Sequence, residues 1–319
     1  MRISVAMCTY NGARFLPQQL KSIETQTRPP DELVICDDCS TDNTAADIRE
    51  FAAHVPFRVN SYFNRERRGT TKNFENAISR CQSEIIVLSD QDDVWHPDKL
   101  NRLAKILVNE RFGAVFSDAE LIDETSRPLE KSLWSSYRVT PRHQEKFENG
   151  HGLAALLNRD TVTGATMAFR SSFRQLILPI PPEQLHDLWI AMLIAAVSHI
   201  APIREMLVRY RQHGEQQIGP GKESFFWQKL PRQVGPDFYL REVDRLSEIC
   251  TRLAERAASF PPHPNALRLI RQKISHRRAR AEFPSSKLLR LPLVIREAAS
   301  LRYWRYSGGL GSVAKDLLV

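Results

Sequence analysis

Over the first hundred residues, short apolar runs alternate with segments in which apolar residues recur every three or four positions, and a polar cluster follows each run. Ile3 to Met7 is β-branched and apolar, which predicts a strand ending in the turn signal Cys8-Thr9-Tyr10-Asn11-Gly12. Phe15, Leu16, Leu20 and Ile23 then follow at helical spacing until Pro29-Pro30 stops the helix. Leu33 to Cys36 predicts a second strand, closed by Asp37-Asp38-Cys39-Ser40-Thr41-Asp42-Asn43-Thr44, whose Ser, Thr and Asp residues suit helix N-caps. A third short strand is expected around Phe57 to Ser61, followed through Arg65-Glu66-Arg67-Arg68-Gly69 by a helix holding Asn73 to Ser79. This alternation predicts an α/β fold with a central, mostly parallel sheet flanked by helices and a ligand crevice along the carboxyl ends of its strands.

The fourth apolar run, Ile85-Ile86-Val87-Leu88, opens directly into Ser89-Asp90-Gln91-Asp92-Asp93-Val94-Trp95. Three carboxylates in four positions repel one another, and a cation among them relieves the repulsion. Hard oxygen donors with an open substrate side suit Mg²⁺ or Mn²⁺ shared with phosphate oxygens. The same residues would also serve as a solvated acidic turn ahead of a helix started by Pro97. Neither G-x-G-x-x-G after the first strand nor G-x-x-x-x-G-K-[ST] occurs in the chain, so neither familiar phosphate loop is available. A nucleotide has other handles: Asp38 for a base imide N–H, the backbone of Thr9 and Tyr10 to frame the base, and Lys72 for a phosphate.

Composition narrows the reading further. The chain has 319 residues, 42% hydrophobic and 26% charged, enough for one large domain or two smaller ones. No apolar run approaches the roughly 18 to 20 residues that span a bilayer, and Met1-Arg2-Ile3-Ser4 enters a strand pattern rather than a signal peptide. A cytoplasmic location is expected. The five cysteines are expected to be reduced, and Cys36 with Cys39 form a C-x-x-C that has no second pair to complete a zinc site.

The motifs resemble those of the family 2 glycosyltransferases, with their nucleotide-sugar-binding α/β fold. Cys8-Thr9-Tyr10-Asn11-Gly12 follows the first strand, Asp37-Asp38-x-Ser40-x-Asp42-x-Thr44 the second, and Asp90-x-Asp92-Asp93 the fourth. Thr163-Gly164-Ala165-Thr166 looks like the acceptor-side strand, His186-Asp187 like the motif of the catalytic base, and Tyr210-Arg211-Gln212-His213 like the closing motif. The likeness covers about Arg2 to Gly219 and is nearest to bacterial rhamnosyltransferase-like enzymes of surface polysaccharide assembly. It implies a catalytic domain over residues 1–219, with a nucleotide half to about 95 and an acceptor half from about 96. Thr9, Tyr10, Asp38, Lys72 and Asp90 fall on the nucleotide side, Asp92 and His213 at the metal, and Gly164, Ala165 and Trp189 on the acceptor side. Lys72 stands where the family often has Arg, and Asp187 where many members have Glu.

Chemistry gives these positions their reasons. Moving a sugar off a nucleoside diphosphate builds negative charge on the leaving phosphate, and a divalent cation at Asp92 stabilises it as it develops. The acceptor hydroxyl must lose a proton, and a placed carboxylate that takes it adds about 10² to 10⁴ in rate. Asp187 is the candidate base. It also heads a helix that is apolar nearly all round, from Leu188 to Ile194, where an acid commonly serves as a cap. One acceptor-side carboxylate with no second acid as nucleophile implies inversion, whereas a glycosidase needs two flanking acids. The family's processive synthases carry Gln-x-x-Arg-Trp and membrane spans; neither occurs here, which favours a single addition to a saccharide acceptor, lipid-linked in such pathways. A silent nucleotide-sugar-binding protein and a membrane-surface scaffold are the rival readings, and the intact set Asp38, Asp90, Asp92 and Asp187 argues against both.

The far end is organised differently. Gly214 to Pro236 is a loop-rich linker, Phe238 to Ala258 has helical periodicity, and residues 220–319 form a helical, basic extension. From Pro261 to Val319 there are 12 Lys and Arg against 3 Asp and Glu, a net charge of +9 in a chain of +8. With Tyr303, Trp304 and Tyr306 among the bases, the segment suits an anionic membrane surface, and peripheral attachment is expected. A chain cut at Phe260 is then expected to keep donor binding. No nucleic-acid motif accompanies these charges, so no nucleic-acid partner is expected.

Overall fold

The computed structural model describes residues 1–214 and 235–318; most of the linker expected from Gly214 to Pro236 lies outside them. The chain opens as β1 (Ile3–Thr9), α1 (Leu16–Glu24), β2 (Glu32–Asp37), α2 (Thr44–His54), β3 (Arg58–Phe63), α3 (Thr70–Arg80) and β4 (Ile85–Ser89). β3, β2, β1 and β4 pair side by side in that order, all parallel. The chain builds outward from β1 to β3 and then crosses back to the other side of β1. The strand order therefore reverses between β1 and β4, the position at whose carboxyl edge open α/β sheets take their ligands.

Beyond β4 the sheet is mixed rather than parallel. β5 (Val94–Trp95) and α4 (Lys99–Leu107) precede the long β6 (Phe112–Ile122), then β7 (Pro128–Ser132), α5 (Leu133–Ser136), α6 (Pro141–Glu148) and α7 (Gly152–Asn158) lead to β8 (Met167–Arg170). α4 starts at Lys99, with Asp98 before it, two residues later than Pro97 predicted. The connection from β6 to β8 begins and finishes at the carboxyl edge of β6, so β8 runs antiparallel to both β6 and β4. After α8 (Arg174–Ile177) and α9 (His186–Val197), β9 (His199–Arg211) pairs parallel with β6. β9 thus ends on the same edge as β1, β2 and β4. β5, which follows the acidic loop directly, pairs antiparallel with β9 through Val94 with Arg209 and Trp95 with Val208, and this brings residue 213 to that loop.

Successive residues of β1 point to opposite faces, as in any strand. Ile3, Val5 and Met7 pack with Leu16, Leu20, Ile23, Leu100 and Leu103 of α1 and α4 on one face. Ala6 and Cys8 lie on the other with Phe74 of α3, Trp189 of α9 and the helices that follow. Both faces are covered, which explains why these strands read as unbroken apolar runs. Cys36 and Cys39 are free thiols, and burial pushes the Cys36 thiol up to about 12.

The C-terminal helices complete the second face. α10 (Pro236–Glu255) and α11 (Ala266–Ala281) place Leu246, Ile249, Leu253, Ala266 and Ile270 in the same apolar cluster as α9. Arg252 donates to the carbonyls of Leu176, Ile177 and Pro179, and the His263 N–H to that of Ala196. α12 (Lys287–Ala299), α13 (Arg302–Tyr306) and α14 (Leu310–Leu318) close the chain, with Tyr306 in the cluster. A cut at Phe260 would remove Ala266, Ile270 and Tyr306 from this cluster. Part of the positive charge of this segment is paired within the fold. Lys273 and Arg277 pair with Glu242 at 2.6 Å each, and Arg280 pairs with Asp316 at 2.7 Å.

Burial alone would raise the Glu242 carboxyl, but Arg277 and Lys273 outweigh it and hold the group at about 2. A carboxylate held below its unfolded value stabilises the fold above about pH 4.5 and loses that contribution as pH falls toward 2. Glu242→Gln strands two buried cations, and we expect it to cost about 3–5 kcal/mol at pH 7. Urea denaturation across pH checks this: the gap between wild type and variant should close as pH falls through that window.

Candidate active site

The crevice floor is set by β1, β2 and β4, and each contributes a residue whose side chain serves its neighbours. Thr9 Oγ1 at the end of β1 donates to Asp37 Oδ1 at 2.7 Å, and the Thr9 carbonyl accepts the Asp38 N–H at 2.8 Å. Asp38 is buried and accepts from the N–H groups of Arg68 (2.7 Å) and Gly69 (2.9 Å) and from Asn64 Nδ2 (3.0 Å). The carboxylate proposed for a base imide therefore also shapes the basic loop from Asn64 to Gly69.

Tyr10 differs from the expectation of a free backbone. Its N–H donates to Gln91 Oε1 at 2.8 Å and its carbonyl accepts from Gln91 Nε2 at 3.0 Å, because one carboxamide matches both polar groups of a single residue. Its ring remains as a surface, with the Arg67 guanidinium 3.9 Å from its centroid. A Cβ on Gly12 would meet Gln91 Oε1, so any larger residue there would push the carboxamide off Tyr10. Lys72 is likewise committed elsewhere: its ammonium pairs with Glu75 at 2.8 Å and donates to the Ile180 carbonyl at 2.8 Å.

The acids after β4 are held by β9 and α4. Arg211 is buried, donates through Nε to the Asp92 carbonyl at 2.7 Å, and through its N–H to Asp93 Oδ1 at 3.0 Å. Its guanidinium also reaches Gln18 and Ser126, so β9 clamps the acidic loop to α1 and the β6–β7 turn. His213 Nε2 lies 2.8 Å from Asp92 Oδ2, and its ring centroid is 4.9 Å from that of Phe15. Burial of its carboxyl, with repulsion from Asp92 and Asp187, raises Asp90 to about 7. Burial, with repulsion from Asp92 and Asp90, raises Asp93 well above the carboxylate range, and its Oδ2 has no hydrogen-bond partner.

On the acceptor side, Gly164–Thr166 form a 3₁₀ turn just before β8. Asp187 lies in the first turn of α9, and its Oδ2 accepts the Gly164 N–H at 3.2 Å. A Cβ on Gly164 would stand 2.9 Å from His186 Nε2. His186 is buried and stacked on Phe74 with centroids 4.0 Å apart, and burial pushes its pKa down. Trp189, expected at the acceptor, is 1% exposed and donates its indole N–H to the Ile177 carbonyl at 2.8 Å. It is core, because α9 is buried on nearly all sides and only its first turn reaches the crevice.

Lys99 joins the two halves and was not legible as a site residue. Fully buried, it donates to the Ala165 carbonyl at 2.7 Å and sits 3.6 Å from the Trp95 ring centroid. Burial pushes its pKa well down, opposed by the charges of Asp93 and Asp90. In the sequence it reads as an ordinary first-turn helix lysine; Gln91 and Arg211 at least lie inside the acidic and closing motifs. Among the described residues no three His, Cys, Asp or Glu side chains group as a metal cage, whereas Asp92 and His213 form an adjacent pair. A carboxylate and an imidazole beside crowded acids fit Mg²⁺ or Mn²⁺ completed by ligand oxygens.

If Lys99 offsets the buried acids, Lys99→Met should cost about 3 kcal/mol of stability. Combining it with Asp93→Asn should recover part of that loss. Urea denaturation of the two single variants and the double variant measures the coupling, and additive losses would contradict it.

Comparison with known proteins gives the constellation a setting. The model of Glycosyl transferase family 2 matches residues 4–176. The dTDP-rhamnosyl transferase RfbG of Shigella flexneri is 27% identical over 252 residues, 76% of this chain and 83% of that protein. An uncharacterized glycosyltransferase of Nostoc sp. is 26% identical over 225 residues, 67% of this chain and 66% of its own length. WfgD of Escherichia coli, a UDP-Glc:alpha-D-GlcNAc-diphosphoundecaprenol beta-1,3-glucosyltransferase, is 26% identical over 124 residues, 39% of this chain and 48% of that protein. The chain thus spans about half to two thirds of the length of several curated relatives. Among solved structures, Staphylococcus aureus TarS with UDP-GlcNAc has a TM-score of 0.59 at 16% identity, covering 94% of this chain and 81% of that one. A Pyrobaculum calidifontis mannosyltransferase with GDP-Man and Mn²⁺ has a TM-score of 0.52 at 17% identity, covering 94% and 75%. At such identities the likeness is one of fold.

Proposed function

Because the chain belongs to glycosyl transferase family 2, we propose that it moves one sugar from a nucleoside-diphosphate sugar to a lipid-linked saccharide acceptor, with inversion, in cell-surface polysaccharide synthesis. The observation that carries this reading is the convergence of Asp38, Asp90, Asp92 and His213 with Asp187 on one sheet edge, reached from both halves of the sheet. The donor's nucleotide lies over the ends of β1 and β2, between the Tyr10 ring and the loop held by Asp38. Arg67 and Arg68 line an adjacent cavity of about 650 Å³ and give that side a positive field for the diphosphate. A hexosyl donor is the class we propose, and the likeness to RfbG makes a rhamnosyl donor the first to try.

Asp92 and His213 would hold a Mg²⁺ or Mn²⁺, which when bound supplies positive charge to the departing diphosphate. Across the crevice, Asp187 accepts the proton of the acceptor hydroxyl as its oxygen bonds to the anomeric carbon and the bond to the β-phosphate oxygen breaks. One displacement from the face opposite the leaving group inverts that carbon. The Gly164 N–H fixes one Asp187 oxygen, which orients the carboxylate before the acceptor arrives.

Two variants test the division of roles. Asp187→Asn should keep donor binding while kcat falls by about 10² or more. Asp92→Ala should lose metal-dependent donor binding and turnover together. Unchanged specific activity in the folded fraction of Asp187→Asn would make the residue a helix cap, and full turnover by Asp92→Ala in chelator-treated buffer would remove the metal assignment.

A further inference from the structure

Half of the α11 bases are paired inside the fold, whereas α12 carries most of its large apolar residues on its outer side. Its buried residues are Val294 and Glu297. Glu297 accepts from Arg302 at 2.9 Å and lies 2.9 Å from His276, so the one acid of the helix faces inward. Leu288, Leu291, Pro292, Ile295 and Ala299 recur at three- and four-residue steps along the opposite side, with Leu289 beside them. Leu288 is 85% exposed, Leu289 66% and Ile295 57%. Lys287 Nζ donates to the Leu318 carbonyl at 2.7 Å, which ties the exposed end of α14 to the start of this stripe. Leu301 and Trp304 are exposed in the adjoining turn and α13.

An outward apolar stripe of this kind is not stable against water alone, and the charges around it indicate its partner. From Lys287 to Leu318 the bases are Lys287, Arg290, Arg296, Arg302, Arg305 and Lys315, while the acids are Glu297 and Asp316. Both acids are buried and ion-paired within the fold, Glu297 with His276 and Arg302, and Asp316 with Arg280. The rim of the stripe is therefore positive. We propose that α12, with the ends of α13 and α14 beside it, docks in the interfacial layer of an anionic bilayer, its leucines in the acyl boundary and Trp304 at the headgroup level. The surface gives the lipid-linked acceptor a location and rests on that reading only for its purpose. The surface itself is tested without donor or acceptor, so either can fail alone. No helix among the described residues is long and apolar enough to cross a membrane, so the contact lies on the bilayer.

The test is sedimentation of the full chain with vesicles of phosphatidylcholine and phosphatidylglycerol at 3:1, at low and high salt, beside vesicles of phosphatidylcholine alone. Wild type should partition to the anionic vesicles at least tenfold more than Leu288→Glu/Ile295→Glu. Lys287→Ala/Arg296→Ala should bind less than wild type and show a shallower salt dependence. Hydrogen exchange on wild type adds a readout independent of variant folding: anionic vesicles should slow exchange within 287–299. Equal binding of wild type and Leu288→Glu/Ile295→Glu, or no vesicle protection of 287–299, overturns the proposal. So does a wild-type dimer that the glutamates dissociate and that ignores vesicles, since a second copy would then be what covers the stripe.

Discussion

Crowding of carboxylates at the end of β4 is the constraint around which the rest of the site is built. Asp90, Asp92 and Asp93 sit within four residues at the edge of a buried strand, where unbalanced negative charge is expensive. The fold answers from three directions: Arg211 from β9 binds the loop backbone and Asp93, Lys99 from α4 faces Asp93 and Asp90 from within, and His213 meets Asp92. Asp90 and Asp93 remain raised despite these partners. Burial is the larger cause, and repulsion among the acids adds to it.

Sheet direction explains why the partners come from so far along the chain. β9 ends at the same edge as β4 because β8 is antiparallel and β9 parallel to β6, and β5, just after the acidic loop, pairs with β9, so that His213 meets Asp92. The Gly164 turn precedes β8 at that same edge and carries the acceptor side to the Asp187 carboxylate. Lys99 then links the turn to the acids through the Ala165 carbonyl, so the two halves of the sheet edge share one buried polar network.

Much of this could be read from residue order. Strands buried on both faces leave continuous apolar runs, so β1, β2 and β4 were legible, as were the polar clusters at their ends. The mixed second half was not, because strand direction depends on which edge a connection finishes at, and that is a property of the whole path. His213 stands beside Asp92, and Gly164 beside Asp187. Trp189 misled because an indole at the start of a helix looks like a substrate platform, and only packing reveals a core side chain. Tyr10 and Lys72 were assigned by type, while their actual partners, Gln91 and Glu75, are set by geometry that spacing does not encode. The net charge of the last sixty residues pointed outward in the sequence, whereas Glu242 and Asp316 turn half of the α11 bases inward.

The account stands on the acids after β4 needing a cation and a diphosphate at once. Isothermal titration of uridine, deoxythymidine and guanosine diphosphates into wild-type protein tests this most directly, with Mn²⁺ present and again after chelation. The account predicts that at least one of them binds with Mn²⁺ and at least tenfold more weakly without it, a difference of about 1.4 kcal/mol. Binding of the same strength in chelator, or no binding of any of the three with Mn²⁺ present, would contradict it.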